Sequence, residues 1–368
     1  MAVGLAYFWK DEGMGGMTSD EIDIRIEGRA GRITLTRPAA LNALSYAMCQ
    51  AIEGALDLWG ADDRVALVVI DAVGDRAFCA GGDIAQMYHS GIAGDFDFGR
   101  RFWADEYRMN AKLFHFPKPV VSLMQGYTMG GGVGIGCHGS HRVVCETSQI
   151  ALPECGIGLA PDVGSTLVLS RAPGRLGEYL GTTGHRMGPG DAIHAAFADY
   201  FIPRAAWSDL IATLCTTGDW AAVDRAAQPA PASPLAAAQA EIDMLFGGET
   251  IRDVINLLRW SDSALAKAGL AALTRGSPLA VACTLEMVHR ARLRDTIEHA
   301  LEQEYRFSYR AMQDGDFLEG IRAAIIDKDK TPKWRHADLE AIAPVDVAKM
   351  LMPLGAATLK LNIKGSAA

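Results

Sequence analysis

Between Lys118 and Gly164 the chain reads KPVVSLMQGYTMGGGVGIGCHGSHRVVCETSQIALPECGIGLAPDVG, and no other stretch constrains the fold as tightly. The apolar, β-branched run Val120 to Met124 predicts a strand. Three consecutive glycines, Gly130 to Gly132, then let backbone approach a ligand or another chain segment, because no Cβ stands in the way. A helix opening just after them directs unpaired N–H groups toward any negative charge nearby. A second strand-like passage, Arg142 to Leu152, leads to Glu154, and Asp162 follows in a Gly/Pro-rich loop. Side chains on such loops can point into a pocket. The arrangement predicts anion-binding backbone beside acid–base groups.

The flanking pattern sets the fold class. Ile22, Ile24 and Ile26 alternate with polar residues, Gly28 to Gly31 forms a turn, and Arg32 to Thr36 returns, so a hairpin is expected. Helical spacing runs from Ser45, a candidate N-cap, to Trp59. Val65 to Val73 reads as a strand buried on both faces, a short helix starts at Ile84, and a long one spans Phe98 to Phe114. Strands alternating with helices predict an α/β architecture. After Pro203 the strand signals stop and Ala-rich helical segments take over, with QPAPASPLAAA (Gln228 to Ala238) as a connector. Three parts are expected: a flexible N-terminal extension over 1–19 with order beginning near Ser19, an α/β core with the active site over 20–205, and a helical region over 206–368.

Composition narrows the function. A formal charge of −9 without a long Lys/Arg cluster argues against nucleic-acid binding, while a small polyanion remains open. The seven cysteines form no CxxC pair and read as reduced thiols in a cytoplasmic protein. The N-terminal apolar run is short and lacks a basic leader, so no signal peptide is expected. No apolar stretch reaches the ~20 residues of a membrane span, and no membrane partner is expected. No His/carboxylate cluster has metal-ligand spacing. Gly134, Gly136 and Gly139 match GxGxxG but lie too far beyond the strand at Met124 for a dinucleotide turn.

AFCAGGDI (Ala77 to Ile84) alone reads as an ordinary strand-to-helix turn; with TMGGGVG about fifty residues later it resembles the crotonase (enoyl-CoA hydratase/isomerase) superfamily. The resemblance implies a spiral of ββα units and an acyl-CoA thioester substrate, with CoA brought as part of the substrate and no separate cofactor. It implies that the N–H groups of Gly82 and Gly131 form an oxyanion hole, where one preorganised donor is worth about 3 kcal/mol in the transition state. Hydratases of the family carry a Glu where this chain has Gly134, whereas the second Glu is retained as Glu154.

Asp162, where hydratases commonly have glycine, together with LNALSYAM, Glu106-Tyr107, LGEYLGTTGHRM, QEYRFS and FLEGIRAAIIDKDKTPKW, resembles the 3-hydroxyisobutyryl-CoA hydrolase branch over roughly residues 20 to 345. That implies hydrolysis of a short β-hydroxyacyl-CoA, with Glu154 and Asp162 catalytic and Glu106 near the acyl group. Each carboxylate keeps a plainer reading: Glu154 as a loop residue, Asp162 as the N-cap of a helix starting near Val163, Glu106 on a solvated helix face. His138 and His141 are read as structural. Enoyl-CoA hydration or isomerisation is the alternative activity, and simple acyl-CoA binding a third. Arg37, Arg76 and Lys333 are candidates for the CoA phosphates. Relatives often assemble through C-terminal helices, and the extended C-terminal part here leaves monomer, dimer and larger homo-oligomer open.

Overall fold

Two isoleucine-rich strands, β3 (Ile22–Glu27) and β4 (Ala30–Leu35), pair antiparallel in the computed structural model of the protein, which describes residues 8–10 and 16–362. Two short strands precede them, β1 (Phe8–Lys10) and β2 (Gly16–Ser19), and β2 pairs with β3. The sheet therefore begins before Ser19, earlier than the sequence suggested. Strands of three and four residues are too short to show a periodicity, and the rest of 1–15 lies outside the described residues.

From β4 the chain follows a repeating path. It enters a large sheet as β5 (Leu67–Ala72), steps to a small sheet as β6 (Ala77–Cys79), and returns through two helices. It repeats the step with β7 (Val120–Met124) and β8 (Tyr127–Met129), then with β9 (His141–Val144) and β10 (Gln149–Ala151). The last strand, β11 (Tyr200–Phe201), closes the large sheet in the order β1-β2-β3-β4-β5-β7-β9-β11, parallel from β4 onward. The small sheet has the order β10-β8-β6 and is wholly parallel. This is the expected spiral of ββα units.

Every residue of β5 is buried, because both faces of the large sheet are covered. Val68 and Ile70 point into the main core, while Leu67 and Val69 meet a second cluster that includes Trp207, Leu210 and Leu214. Each such side chain contributes roughly 1.5–3 kcal/mol by leaving water.

Five helices position the site: α1 (Tyr46–Trp59), α2 (Ala85–Ile92), α3 (Asp97–Phe114), α4 (Gly131–Gly136) and α5 (Ser165–Arg171). Ser45 caps α1 by accepting from the Met48 amide. Two sequence readings need correction. Arg142 to Leu152 is not one strand: the chain turns at Cys145–Ser148, where Ser148 Oγ accepts from the Cys145 amide, and its halves join different sheets. The proline-rich connector contains a helix start, since Ser233 caps a helix at Pro234–Leu245 and proline suits the first turn. The described residues after β11 are otherwise helical or irregular. Helix Ile297–Ala311 packs against α3, and helix Pro278–Leu293 against α5.

Candidate active site

The three strands of the small sheet are parallel, so their C-terminal ends emerge on one side. Each releases a loop into the same space: Gly81–Gly82 after β6, Gly130–Gly131 after β8, and Glu154 after β10. There they line a cavity of about 190 Å³ together with Glu106 of α3 and Asp162. The five residues singled out in the sequence thus face one volume. Its remaining walls are largely apolar, including Ile84, Met87, Phe102, Trp103, Leu159 and Ile325.

Backbone geometry fixes where the two amides point. Leu44 N donates to Gly81 O (2.8 Å) and Asp83 N donates to Leu44 O (2.9 Å). In a trans peptide the N–H lies opposite the C=O. With the Gly81 carbonyl aimed at Leu44, the Gly82 N–H is turned away from it. Arg37 anchors this loop by donating to Asp83 Oδ2 (2.9 Å) and to Ala43 O (2.8 Å), which makes it a structural tie. Arg76 is exposed, and the Lys333 amide donates to Glu319.

Gly131 opens α4, so its N–H has no partner within the helix. Gly130 before it has φ 49°, a left-handed conformation suited to glycine. A methyl group placed on Gly131 would lie 3.4 Å from the Gly82 nitrogen. Adding about 2.5 Å from Cβ back to N puts the two nitrogens no more than about 5.9 Å apart. Two donors that share one oxygen at ~3.0 Å can be up to ~6 Å apart, so one acceptor can bridge them.

The carboxylates surround this point. A Cβ on Gly131 would stand 2.9 Å from Glu106 Oε1, and one on Gly130 would stand 3.2 Å from Glu154 Oε1. Glu154 is 4% exposed and neither of its oxygens has a hydrogen-bond partner. Burial, and then the nearby Asp162, hold its carboxyl well above the usual range. Glu106 is 3% exposed, with Oε1 unpartnered and its carboxyl raised by the same two causes. That removes the reading of Glu106 as a solvated face residue.

Asp162 accepts from the Tyr107 hydroxyl (2.7 Å), and Ser308 Oγ lies 3.2 Å from that hydroxyl. Burial raises the Asp162 carboxyl to about 7, against the lowering effect of the Tyr107 bond. Asp162 does not cap α5: the N-cap is Gly164, and the capping carboxylate is Glu304. Glu304 accepts from the amides of Gly164 (2.7 Å) and Thr166 (2.9 Å) and from Thr166 Oγ1 (2.6 Å).

The histidines lie outside the cavity. His138 bonds the Val163 carbonyl oxygen through Nε2 (2.7 Å), and His141 stacks on Tyr200. All seven cysteines are free and buried. Among the described residues no group of His, Cys, Asp and Glu could hold a metal ion, and no single helix is long and apolar enough to cross a membrane.

Three residues near the site were not assigned roles from sequence. Tyr107 stands beside Glu106 and partners Asp162. Asn110 is fully buried with both amide atoms unpartnered, one turn beyond Glu106. Helical spacing from Glu106 could have found Asn110. Glu304 is some 140 residues from the amides it caps, and no local signal reveals it.

The chain matches the enoyl-CoA hydratase/isomerase family over residues 30–351. It belongs to that family. Among curated proteins it is 38% identical over 346 residues to a mitochondrial 3-hydroxyisobutyryl-CoA hydrolase from Xenopus tropicalis, covering 91% of this chain and 89% of the relative. A solved enoyl-CoA hydratase from Rhodobacter sphaeroides is 58% identical with a TM-score of 0.88, covering 92% of this chain and 99% of that one. A solved carnitinyl-CoA dehydratase from Mycobacterium thermoresistibile is 40% identical with a TM-score of 0.89, covering 95% and 100%. The expectation of a cytoplasmic protein is overturned by the hydrolase relatives, which are named mitochondrial.

Proposed function

We propose that this protein is an acyl-CoA thioester hydrolase that converts a short β-hydroxyacyl-CoA of the 3-hydroxyisobutyryl type to free acid and CoA. The single observation that carries this over hydration is the packing at Gly134. A Cβ there would lie 2.7 Å from Asn110 Nδ2 and 2.8 Å from Val163 Cβ. The position that holds a Glu in hydratases of the family therefore has no room for a side chain, and Glu154 stands without that partner. The hydrolase names of the curated relatives support the same reading.

In this reading the amide N–H groups of Gly82 and Gly131 donate to the thioester oxygen as it gains charge. Glu154, with both oxygens free, either takes a proton from the attacking water or attacks the carbonyl carbon to give a mixed anhydride that water opens. One water is consumed in both routes, its oxygen ending in the free acid or, when the anhydride opens at the glutamyl carbon, in Glu154, and the departing thiolate takes up a proton to leave as CoA. Asp162 orients the substrate hydroxyl or the water, or assists departure of the thiolate. Glu106 bonds the acyl hydroxyl. CoA enters as part of the substrate, and no resident cofactor is invoked. Residues 20–205 supply the reacting groups, and 206–368 brace them.

The hydratase reading is favoured by the name of the 58% identical solved structure. One pair of assays separates the two. Purified protein given 3-hydroxyisobutyryl-CoA should release free thiol, whereas crotonyl-CoA should keep its conjugated absorbance. Loss of that absorbance without thiol release would replace the hydrolase reading with the hydratase.

A further inference from the structure

Val163, directly after Asp162, has φ 56°. Seven non-glycine residues among those described are left-handed, and Val163 is the only β-branched one. A β-branched residue is a true outlier there, and such strain persists only when surrounding structure enforces it.

The enforcement is visible at the next peptide unit. The Val163 carbonyl oxygen accepts from His138 Nε2 (2.7 Å), and the Gly164 N–H at the other end of the same peptide donates to Glu304 Oε2 (2.7 Å). One peptide plane is thus held at both of its polar atoms by two buried side chains. A carbonyl only accepts, so His138 carries its hydrogen on Nε2. Burial pushes this histidine down to about 4, which keeps it a neutral, single-tautomer donor. Burial raises Glu304 to about 8, against the three donors that favour its carboxylate.

We propose that His138 and Glu304 are positioning residues: they clamp the 163–164 peptide, hold Val163 in its strained conformation, and thereby aim the Asp162 carboxylate into the cavity. The proposal rests on the hydrolase reading only in taking Asp162 as a working group. It gives the helical C-terminal part, which supplies Glu304, a share in setting the site's geometry.

The experiment is a double-mutant comparison on the full chain. His138→Phe preserves the aromatic contact with Phe114 and removes the N–H. It should lower kcat roughly tenfold with little change in KM, since small misplacements of reacting groups are costly. Glycine adopts the left-handed conformation without strain. In a Val163→Gly background the same substitution should therefore cost less than about threefold, a coupling that mere packing would not produce. Glu304→Gln serves as the second probe, because its amide can accept from Gly164 or from Thr166 but not from both. If both substitutions cost the same in the two backgrounds, or if neither lowers kcat, the clamp is overturned.

Amide exchange gives a readout that needs no turnover. Exchange at Gly164 should quicken in His138→Phe and slow again when Val163→Gly is added, and an unchanged rate also overturns the proposal. Thiol release by the parent protein is read first. Its absence removes the hydrolase reading, and exchange then decides the clamp alone.

Discussion

Replacing Glu154 by Gln should stabilise the fold while abolishing turnover, and both effects follow from its surroundings. The carboxyl is 4% exposed, has no hydrogen-bond partner on either oxygen, and is raised well above its ordinary value of 4.5 by burial and by Asp162. A buried polar group left unsatisfied costs about 1–3 kcal/mol, and more when charged. Glutamine fills nearly the same volume without the charge.

Acidity separates this effect from a packing change. Below pH 4.5 the carboxyl is protonated in both folded and unfolded chains, so the variant's advantage from charge is absent. As pH rises past 4.5 the unfolded parent chain ionises while the folded carboxyl resists, so the parent loses stability that the variant keeps. The gap, measured by urea unfolding from pH 4.5 to 8, should widen to about 1–3 kcal/mol. Thiol release should fall on the order of 10²–10⁴-fold for a lost base. A variant that keeps its turnover, or a gap that stays flat across this range, would refute the account of Glu154 as a buried, functional carboxylate.

Other outcomes follow from the same contacts. Tyr107→Phe removes the 2.7 Å bond that lowers the Asp162 carboxyl, so a limb of the kcat/KM profile governed by Asp162 should move up by about one pH unit, worth ~1.4 kcal/mol; a downward shift would contradict the assignment. Gly132→Ala places a Cβ inside the Cys79 carbonyl oxygen. That should push α4 and the Gly131 amide outward, with a stability loss of about 1–3 kcal/mol in thermal unfolding and a larger loss in kcat than in KM. Gly134→Glu, tested with crotonyl-CoA, should confer no hydratase activity and should destabilise by at least about 1–3 kcal/mol, because Asn110 and Val163 occupy the space.

Much of the site was legible because its parts sit in local patterns. Glycine runs after β-branched stretches mark strand ends that open onto a ligand, which singled out the Gly130–Gly132 loop and Glu154, whereas Gly82 alone read as an ordinary turn and was singled out only through the family resemblance. Helices such as α1 and α3 showed their period directly. Asp162 was ambiguous, since an aspartate before a helix fits a cap as well as a catalytic group. Only the tertiary fold, by bringing Glu304 to the α5 amides, frees Asp162 from capping. The split of Arg142–Leu152 between two sheets was hidden because both halves have the same apolar character, and only pairing partners distinguish them. The strain at Val163 left no trace in composition.

Neighbouring parallel strands stand about 4.8 Å apart, close to the spacing between groups that act on one acyl carbon. Three adjacent strands of the small sheet each end in one of the loops that line the cavity, with β8 in the centre. The cavity wall is thereby modular: each strand end carries its own loop, and the neighbouring strands hold the other two in place. No described strand residue of the large sheet lines the cavity, so that sheet serves as the frame on which the small one is mounted.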